Sequence, residues 1–113
     1  MRDEEGMELI ITIVRKGWAD TALKATINAG VEGGTILIGR GCGVHEKKRL
    51  LGMMVEPEKE ILLTIVSSKN RQKVLEAILE ATKLNEPGNG MAIVVPLLAI
   101  AGKSHIPCGF LPE

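Results

Sequence analysis

The sequence predicts an α+β sandwich, in which an antiparallel four-stranded sheet carries both helices on one face. Four apolar runs have the length of strands, and apolar residues recur at helical spacing in two of the intervals between them. The elements follow the order βαβ, loop, βαβ between residues 7 and 95. With 113 residues in all, the chain is expected to form one domain over residues 1–113.

The first half supplies a strand, a helix and a second strand. Residues 7–14 (MELIITIV) form an apolar run rich in β-branched residues, which is typical of a strand covered on at least one face. Apolar residues at helical spacing predict a helix over residues 18–29, and Gly30 ends it. Trp18 is expected to hold this helix to the core or to a neighbouring subunit. Residues 35–38 form the second strand.

The second half repeats the pattern. Residues 60–66 (EILLTIV) predict the third strand, and the Ser67-Ser68 pair offers N-cap hydroxyls for the second helix. Residues 85–90 (NEPGNG) break that helix, and residues 91–95 form the fourth strand. Pro96 follows, so this strand should lie at a sheet edge or end in a bulge. The apolar face of the second helix is predicted to consist of Val74, Leu75, Ile78 and Leu79.

Composition excludes several classes of function. Fourteen basic and fourteen acidic residues cancel, which argues against a nucleic-acid partner. No apolar run is long enough to span a membrane and no signal peptide is recognisable, so the chain is expected to be cytoplasmic, without membrane insertion. Hydrophobic residues make up 45% of the chain, and the simplest way to bury the excess is between subunits.

Two glycine segments are candidate binding loops. Gly39, Gly41 and Gly43 follow the second strand, whereas Gly88 and Gly90 precede the fourth. Glycine permits positive φ and close approach of a ligand, and clustered backbone N–H groups favour an anion. In one subunit the two segments are expected to lie far apart, and in a ring of subunits they could meet across a cleft.

Four local features resemble the PII signal-transduction proteins of nitrogen regulation over roughly residues 7–100. They are the opening strand 9–14, Gly34-Thr35-Ile36, Gly41-Cys42-Gly43 where the family has Gly-Phe-Gly, and Gly88-Asn89-Gly90 where it has Gly-Asp-Gly. Gly39-Arg40-Gly41 and the string EPEKE at residues 56–60 are similar to a divergent PII-like group. The resemblance implies a ferredoxin-like βαββαβ fold, a homotrimer, and a regulatory protein rather than an enzyme, with a role in nitrogen-related regulation.

The resemblance also implies an adenine-nucleotide effector (ATP, ADP or AMP) in clefts between subunits. Two departures predict weaker phosphate binding. Met91 stands where the family has a lysine, and residues 99–104 offer only Lys103 where it has two arginines. Arg40 or Lys103 is the expected substitute. The nucleotide-binding residues carried over are Thr35, Arg40, Gly41, Cys42, Gly43, Gly88, Asn89, Gly90 and Lys103.

Residues 44–56 correspond to the mobile loop of the family, the T-loop. Residues 1–6 are expected to form an N-terminal extension and residues 103–113 a C-terminal tail. The loop is expected to dock on a regulated enzyme or a membrane transporter. Because the chain contains no tyrosine, control by tyrosine uridylylation is excluded. The expected partner-binding residues are His45, Lys47, Lys48, Arg49, Leu50, Leu51, Met53 and Met54.

Two alternative functions remain open on sequence. Cys42 with His45, and His105 with Cys108, have metal-pair spacing, which would suit a trimeric metal-binding protein of the CutA kind. A small hydrolase of the acylphosphatase kind has the same fold class, and Arg40 and Asn89 could take its key positions, but its surrounding motif is missing. Neither alternative is preferred, and no catalytic or metal-ligating residue is assigned.

Overall fold

The computed structural model describes residues 6–43, 48–50 and 53–102, with side chains described outside residues 48–55. The described part of the chain forms six strands and two helices. In chain order they are β1 (Met7–Arg15), α1 (Ala19–Asn28), β2 (Thr35–Arg40), β3 (Lys48–Leu50), β4 (Met53–Val55), β5 (Glu58–Ser67), α2 (Arg71–Thr82) and β6 (Gly90–Pro96).

The main sheet confirms the predicted ferredoxin-like fold. Its strand order is β2-β5-β1-β6 and every neighbouring pair is antiparallel, so β1 and β5 occupy the centre. Each predicted strand and helix is present, and those with predicted bounds agree with the structure within two residues at either end. As Pro96 predicted, β6 is an edge strand, and the proline is its last residue.

A second, two-stranded sheet was not predicted. Strands β3 and β4 pair antiparallel inside the 44–56 segment, with Lys48 opposite Val55 and Leu50 opposite Met53. The hairpin could not be predicted from the sequence because each strand has only three residues, which are too few to show an alternating pattern.

Both helices pack on one face of the main sheet, which we call the covered face. Ile10, Val14 and Leu62 on this face are fully buried, as are Val74 and Ile78 of α2. Because side chains alternate along a strand, the sheet residues of the covered face are the even-numbered ones. Helix α1 contributes small buried side chains, from Ala19, Ala22 and Thr26, and packs against α2.

Polar contacts fix both helix starts, but not as predicted. The proposed cap at Ser67-Ser68 was wrong: β5 continues through Ser67, and Asn70 precedes α2 without a capping side chain. The Ser68 hydroxyl instead donates to Glu8 Oε2 at 3.2 Å, while Glu8 Oε1 lies 3.0 Å from Arg71 Nε. These contacts fasten the start of α2 to β1.

Helix α1 receives its cap from a distant strand. The Ala19 backbone N–H donates to Glu60 Oε1 at 2.9 Å, which places a carboxylate at the positive end of the helix dipole. Trp18 lies just before the helix and is half-buried. Neither helix in the described part of the chain is long and apolar enough to cross a membrane.

The other face of the main sheet, the open face, carries no helix among the described residues. The registers place odd-numbered residues of all four strands there, for example Leu37 beside Ile61 and Ile61 beside Ile13. Several of its side chains are substantially exposed, including Ile93 at 40% and Met91 at 55%. The apolar residues of this face are Met7, Leu9, Ile11, Ile13, Leu37, Ile61, Leu63, Ile65, Met91, Ile93 and Val95.

Candidate functional site

A pocket of about 440 Å³ lies at one end of the main sheet, between the two glycine segments. Residues 39–43 line it from one side, and Gly88 and Gly90 line it from the other. Lys59 also faces the pocket. The apolar part of the lining consists of Ile13, Ile61 and Met91. The volume falls in the range of small-molecule sites.

The expectation that the two glycine segments lie far apart in one subunit was wrong. Strand β2 ends at Arg40 and β6 begins at Gly90, and the antiparallel registers bring both points to the same end of the sheet. The segments therefore line one pocket within a single chain. Spacing along the sequence could not reveal this proximity, because strand order depends on pairing between distant segments.

The second glycine segment uses the special freedom of glycine, whereas the first does not. Gly88 has φ +85° and Gly90 has φ +130°, and a Cβ on Gly90 would lie only 2.0 Å from the carbonyl oxygen of Ile13. Gly39 and Gly41 have ordinary backbone angles. Neither residue therefore needs glycine for a positive φ, although a Cβ on Gly39 would lie 3.1 Å from Ile61 Cδ1.

Asn89 acts as a bracket at this end of the sheet. Its Oδ1 accepts a hydrogen bond from Arg15 Nη2 at 2.8 Å, and its Nδ2 donates to the Lys83 carbonyl oxygen at 2.9 Å. Lys83 ends α2 in the left-handed conformation. The side chain thus connects β1 to the end of α2, and Asn89 is not part of the pocket lining.

Two of the backbone amides expected to attract an anion already have partners in the chain. The Gly41 N–H donates to the Pro57 carbonyl oxygen at 3.2 Å, and the Asn89 N–H donates to the Glu86 carbonyl oxygen at 3.2 Å. The first of these bonds also joins the two ends of the segment that contains the β3–β4 hairpin. Fewer amides are therefore available for a ligand than the glycine pattern suggested.

Lys59 was missed at the level of the sequence. It is only 7% exposed and lies in β5 at the pocket. Strand periodicity carried a usable signal, since Lys59 has the same parity as Ile61, Leu63 and Ile65 and so breaks an otherwise apolar row. The signal was overlooked because the third strand was predicted to begin one residue later, at residue 60.

Thr35 lies in a different pocket. That pocket, of about 610 Å³, is lined by residues 30–35 together with Met7, Leu9 and Asn70, at the opposite end of the sheet from the glycine pocket. Lys103 lies outside the described residues. Among the carried-over residues, Arg40, Gly41, Cys42, Gly43, Gly88 and Gly90 are brought together in the glycine pocket.

The predicted partner-binding residues fall on the 44–56 segment. His45, Lys47 and Leu51 lie outside the described residues. Lys48, Arg49 and Leu50 form β3, and Met53 and Met54 belong to β4, so the described part of the segment is the hairpin.

The metal alternative gains no support from the described residues. No group of three or more His, Cys, Asp or Glu side chains that could hold a metal ion occurs within residues 6–43 and 53–102. Cys42 is an exposed free thiol, while His45, His105 and Cys108 lie outside the described residues.

Comparisons with known proteins identify one family and a matching fold. The family model described as nitrogen regulatory protein P-II matches residues 7–101. Among solved structures, a PII protein of Arabidopsis thaliana bound to citrate superimposes with a TM-score of 0.65 at 22% sequence identity, covering 82% of this chain and 78% of that chain. A search of curated proteins found no significant match.

Proposed function

The chain belongs to the nitrogen regulatory protein P-II family, and from this premise we propose that it senses a small anionic ligand and signals to a partner protein through the 44–56 segment. P-II proteins are signal-transduction regulators and not enzymes, and they act as trimers on partner proteins. One observation carries the proposal for this chain. The glycine pocket adjoins the Gly41–Pro57 hydrogen bond, at the base of the hairpin segment.

The proposed assembly is a homotrimer in which the open face is buried between subunits. The open face carries eleven apolar side chains, and large apolar surfaces on soluble proteins mark sites of association. The proposed partner of the open face is a second copy of the chain, because P-II proteins form trimers. Burial of this face would also account for the high apolar content of so short a chain.

The trimer would complete the ligand site. The glycine pocket and the Thr35 pocket lie at opposite ends of the sheet, so one chain cannot bring them together. Two adjacent subunits can do so, if the glycine pocket of one faces the Thr35 pocket of the next. In that arrangement the ligand would contact Thr35 of one subunit and Arg40 of the other, as the predicted site residues require.

The proposed ligand is an adenine nucleotide, namely ATP, ADP or AMP. The apolar lining from Ile13, Ile61 and Met91 suits a base or ribose, while Arg40 and Lys59 suit phosphate groups. The PII protein of Arabidopsis thaliana bound to citrate offers a second class of anion, a carboxylate. Both classes carry negative charge and can be separated by direct binding measurements.

The proposed mechanism is a shift between conformations of the 44–56 segment. A ligand in the glycine pocket would touch residues 41–43, which lead directly into that segment. Signalling requires that the ligand bind more tightly to one arrangement of the segment than to another. The partner would then distinguish the two arrangements. A regulated enzyme or membrane transporter in nitrogen metabolism, in the cytoplasm, is the proposed context.

Isothermal titration calorimetry with ATP, ADP, AMP and citrate tests the ligand. We expect at least one nucleotide to bind with one site per subunit, more tightly than citrate. Absence of heat for all three nucleotides at millimolar concentration would refute the nucleotide proposal. Light scattering after size exclusion tests the assembly separately, because a monomer at micromolar concentration would remove the site between subunits.

A further inference from the structure

One dipeptide of the second glycine segment is chemically labile. Asn89 is followed directly by Gly90, whereas the other asparagines of the chain, at positions 28, 70 and 85, do not precede a glycine. In an Asn-Gly pair the backbone nitrogen of the glycine can attack the side-chain amide carbon of the asparagine. Glycine hinders this attack least, because it carries no Cβ. Asn89 is therefore the asparagine of this chain with the greatest intrinsic tendency to deamidate.

The fold requires glycine at the second position of this pair. Gly90 has φ +130°, which side chains rarely permit. A Cβ at this position would overlap the carbonyl oxygen of Ile13 and lie 3.2 Å from the Cα atom of Val14. The crowding follows from the register, since Gly90 is opposite Val14 in the pairing of β6 with β1. Substitution at position 90 therefore cannot remove the labile pair without disturbing the sheet.

The fold also uses both ends of the amide at the first position. Asn89 Oδ1 accepts a hydrogen bond from Arg15 Nη2 at 2.8 Å, and Asn89 Nδ2 donates to the Lys83 carbonyl oxygen at 2.9 Å. A carboxylate could accept the first bond but could not donate the second. Tertiary contacts thus favour an amide at position 89 and demand glycine at position 90.

The same two hydrogen bonds oppose deamidation. Attack by the Gly90 nitrogen converts Asn89 Cγ from planar to tetrahedral, and Nδ2 then departs. The bond from Nδ2 to the Lys83 carbonyl oxygen must therefore break during the reaction. The bond from Arg15 fixes Oδ1 and restricts rotation of the amide. Deamidation accordingly requires a local opening in which the side chain leaves both partners.

We propose that Asn89 is a site of spontaneous deamidation and that its contacts with Arg15 and Lys83 set the rate. The Gly90 nitrogen forms a bond to Asn89 Cγ, and the Cγ–Nδ2 bond breaks. The proton of the Gly90 N–H passes through solvent to the departing Nδ2, which leaves as ammonia. Water then opens the resulting succinimide at either carbonyl carbon. The products are an aspartate and an isoaspartyl linkage, in which the backbone runs through Cβ and Cγ.

Both products would alter the wall of the glycine pocket. An aspartate would keep the contact with Arg15 but would place a carboxylate oxygen against the Lys83 carbonyl oxygen, where the amide now donates. The isoaspartyl linkage would lengthen the backbone next to Gly90, where Ile13 leaves no room. The start of β6 would then shift relative to β1, together with Met91 of the pocket lining. The reaction needs no ligand, so it does not depend on the proposed function.

The test follows deamidation of the folded protein by mass spectrometry of the tryptic peptide 84–103. Replacement of the amide NH₂ by OH changes the peptide mass, and fragmentation assigns the change to Asn89 or to the internal control Asn85. Arg15→Met is compared with the matched control Lys16→Met, because Lys16 is ion-paired with Glu58 at 3.1 Å. A synthetic peptide 84–103 gives the rate without the fold, and circular dichroism checks that each variant is folded.

We expect Asn89 to react about tenfold to 100-fold more slowly in the folded wild type than in the peptide, because two hydrogen bonds must open. Arg15→Met should speed the reaction by about threefold to tenfold, since one of those bonds is lost. Lys16→Met should change it by less than about twofold. The rate at Asn85 should be the same in all folded proteins.

Three results would overturn the inference. The first is unmodified Asn89 in the folded wild type after about 100 half-times of the peptide, which exceeds the expected protection. The second is an equal rate at Asn89 in the peptide and the folded protein. The third is a rate in Arg15→Met that is equal to or lower than that of the wild type. If Arg15→Met does not fold, Arg15→Gln, which removes the guanidinium but keeps a polar side chain, provides the same comparison.

Discussion

The two faces of the main sheet do not follow the rule that polar residues are exposed and apolar residues are buried. The covered face, packed under both helices, contains the buried polar residues Thr12 and Thr64 among its aliphatic side chains. The open face carries eleven Leu, Ile, Val and Met residues, yet Ile93 and Met91 remain substantially exposed in the single chain. Packing within one chain explains the covered face. The proposed trimer would bury the open face, and this difference between the faces underlies that proposal.

The largest expected effect is on assembly. Ile93→Glu places a charge on the open face and should convert the proposed trimer to a monomer, because a carboxylate buried between subunits without a partner is strongly unfavourable. Light scattering should give one-third of the wild-type mass. Ile27→Glu is the matched control, since Ile27 is 46% exposed, on α1, and should leave the mass unchanged. An unchanged mass for Ile93→Glu would contradict the proposed interface.

The next effect concerns the covered face. Ile78→Ala should lower the free energy of unfolding by about 2–5 kcal/mol, because Ile78 is fully buried and its truncation leaves a cavity. Denaturant titration at fixed protein concentration measures the change. Ile27→Ala should cost less than about 1 kcal/mol. If Ile78→Ala altered the mass of the assembly instead of its stability, the distinction between the two faces would be lost.

The smallest expected change in the free energy of unfolding comes from a buried hydroxyl on the covered face. The hydroxyls of Thr12 and Thr64 are buried and have no hydrogen-bond partner among the described residues. Thr12→Val should therefore raise the free energy of unfolding by about 1 kcal/mol, since it replaces a desolvated hydroxyl by a methyl group.

A matched threonine provides the opposite sign. Thr26 is equally buried, but its Oγ1 donates to the Leu23 carbonyl oxygen at 2.7 Å. Thr26→Val should lower the free energy of unfolding by about 1 kcal/mol, because a hydrogen bond is lost. Equal effects of the two substitutions would show that the hydroxyl partners do not decide the balance.

Much of the fold was predictable because local patterns carried it. The apolar run at residues 7–14 lies in β1. The apolar residues at helical spacing before Thr82 lie in α2. The prediction of a helix cap at Ser67-Ser68 was wrong for a tertiary reason. Glu8 of another strand accepts a hydrogen bond from the Ser68 hydroxyl, and β5 extends through Ser67. The β3–β4 hairpin was not predicted for a local reason, because its strands are too short to show an alternating pattern.

The candidate site was predictable only in part. The glycine segments were identified from residue type, and six of the carried-over residues line one pocket. That these residues bind a nucleotide stays a prediction. The bracket formed by Asn89 with Arg15 and Lys83, and the position of Lys59 between Gly39 and Arg15, depend on strand register.

The sequence by itself determined the fold class, the family and the loops that could approach a ligand, because hydrophobic period and glycine position are local properties of the chain. Only the tertiary structure decided which residues meet. Antiparallel pairing brought residues 39–43 and 88–90 to one pocket and set Lys59 beside it. Those contacts arise from strand order and register, which are fixed by the packing of the whole sheet and not by any one segment.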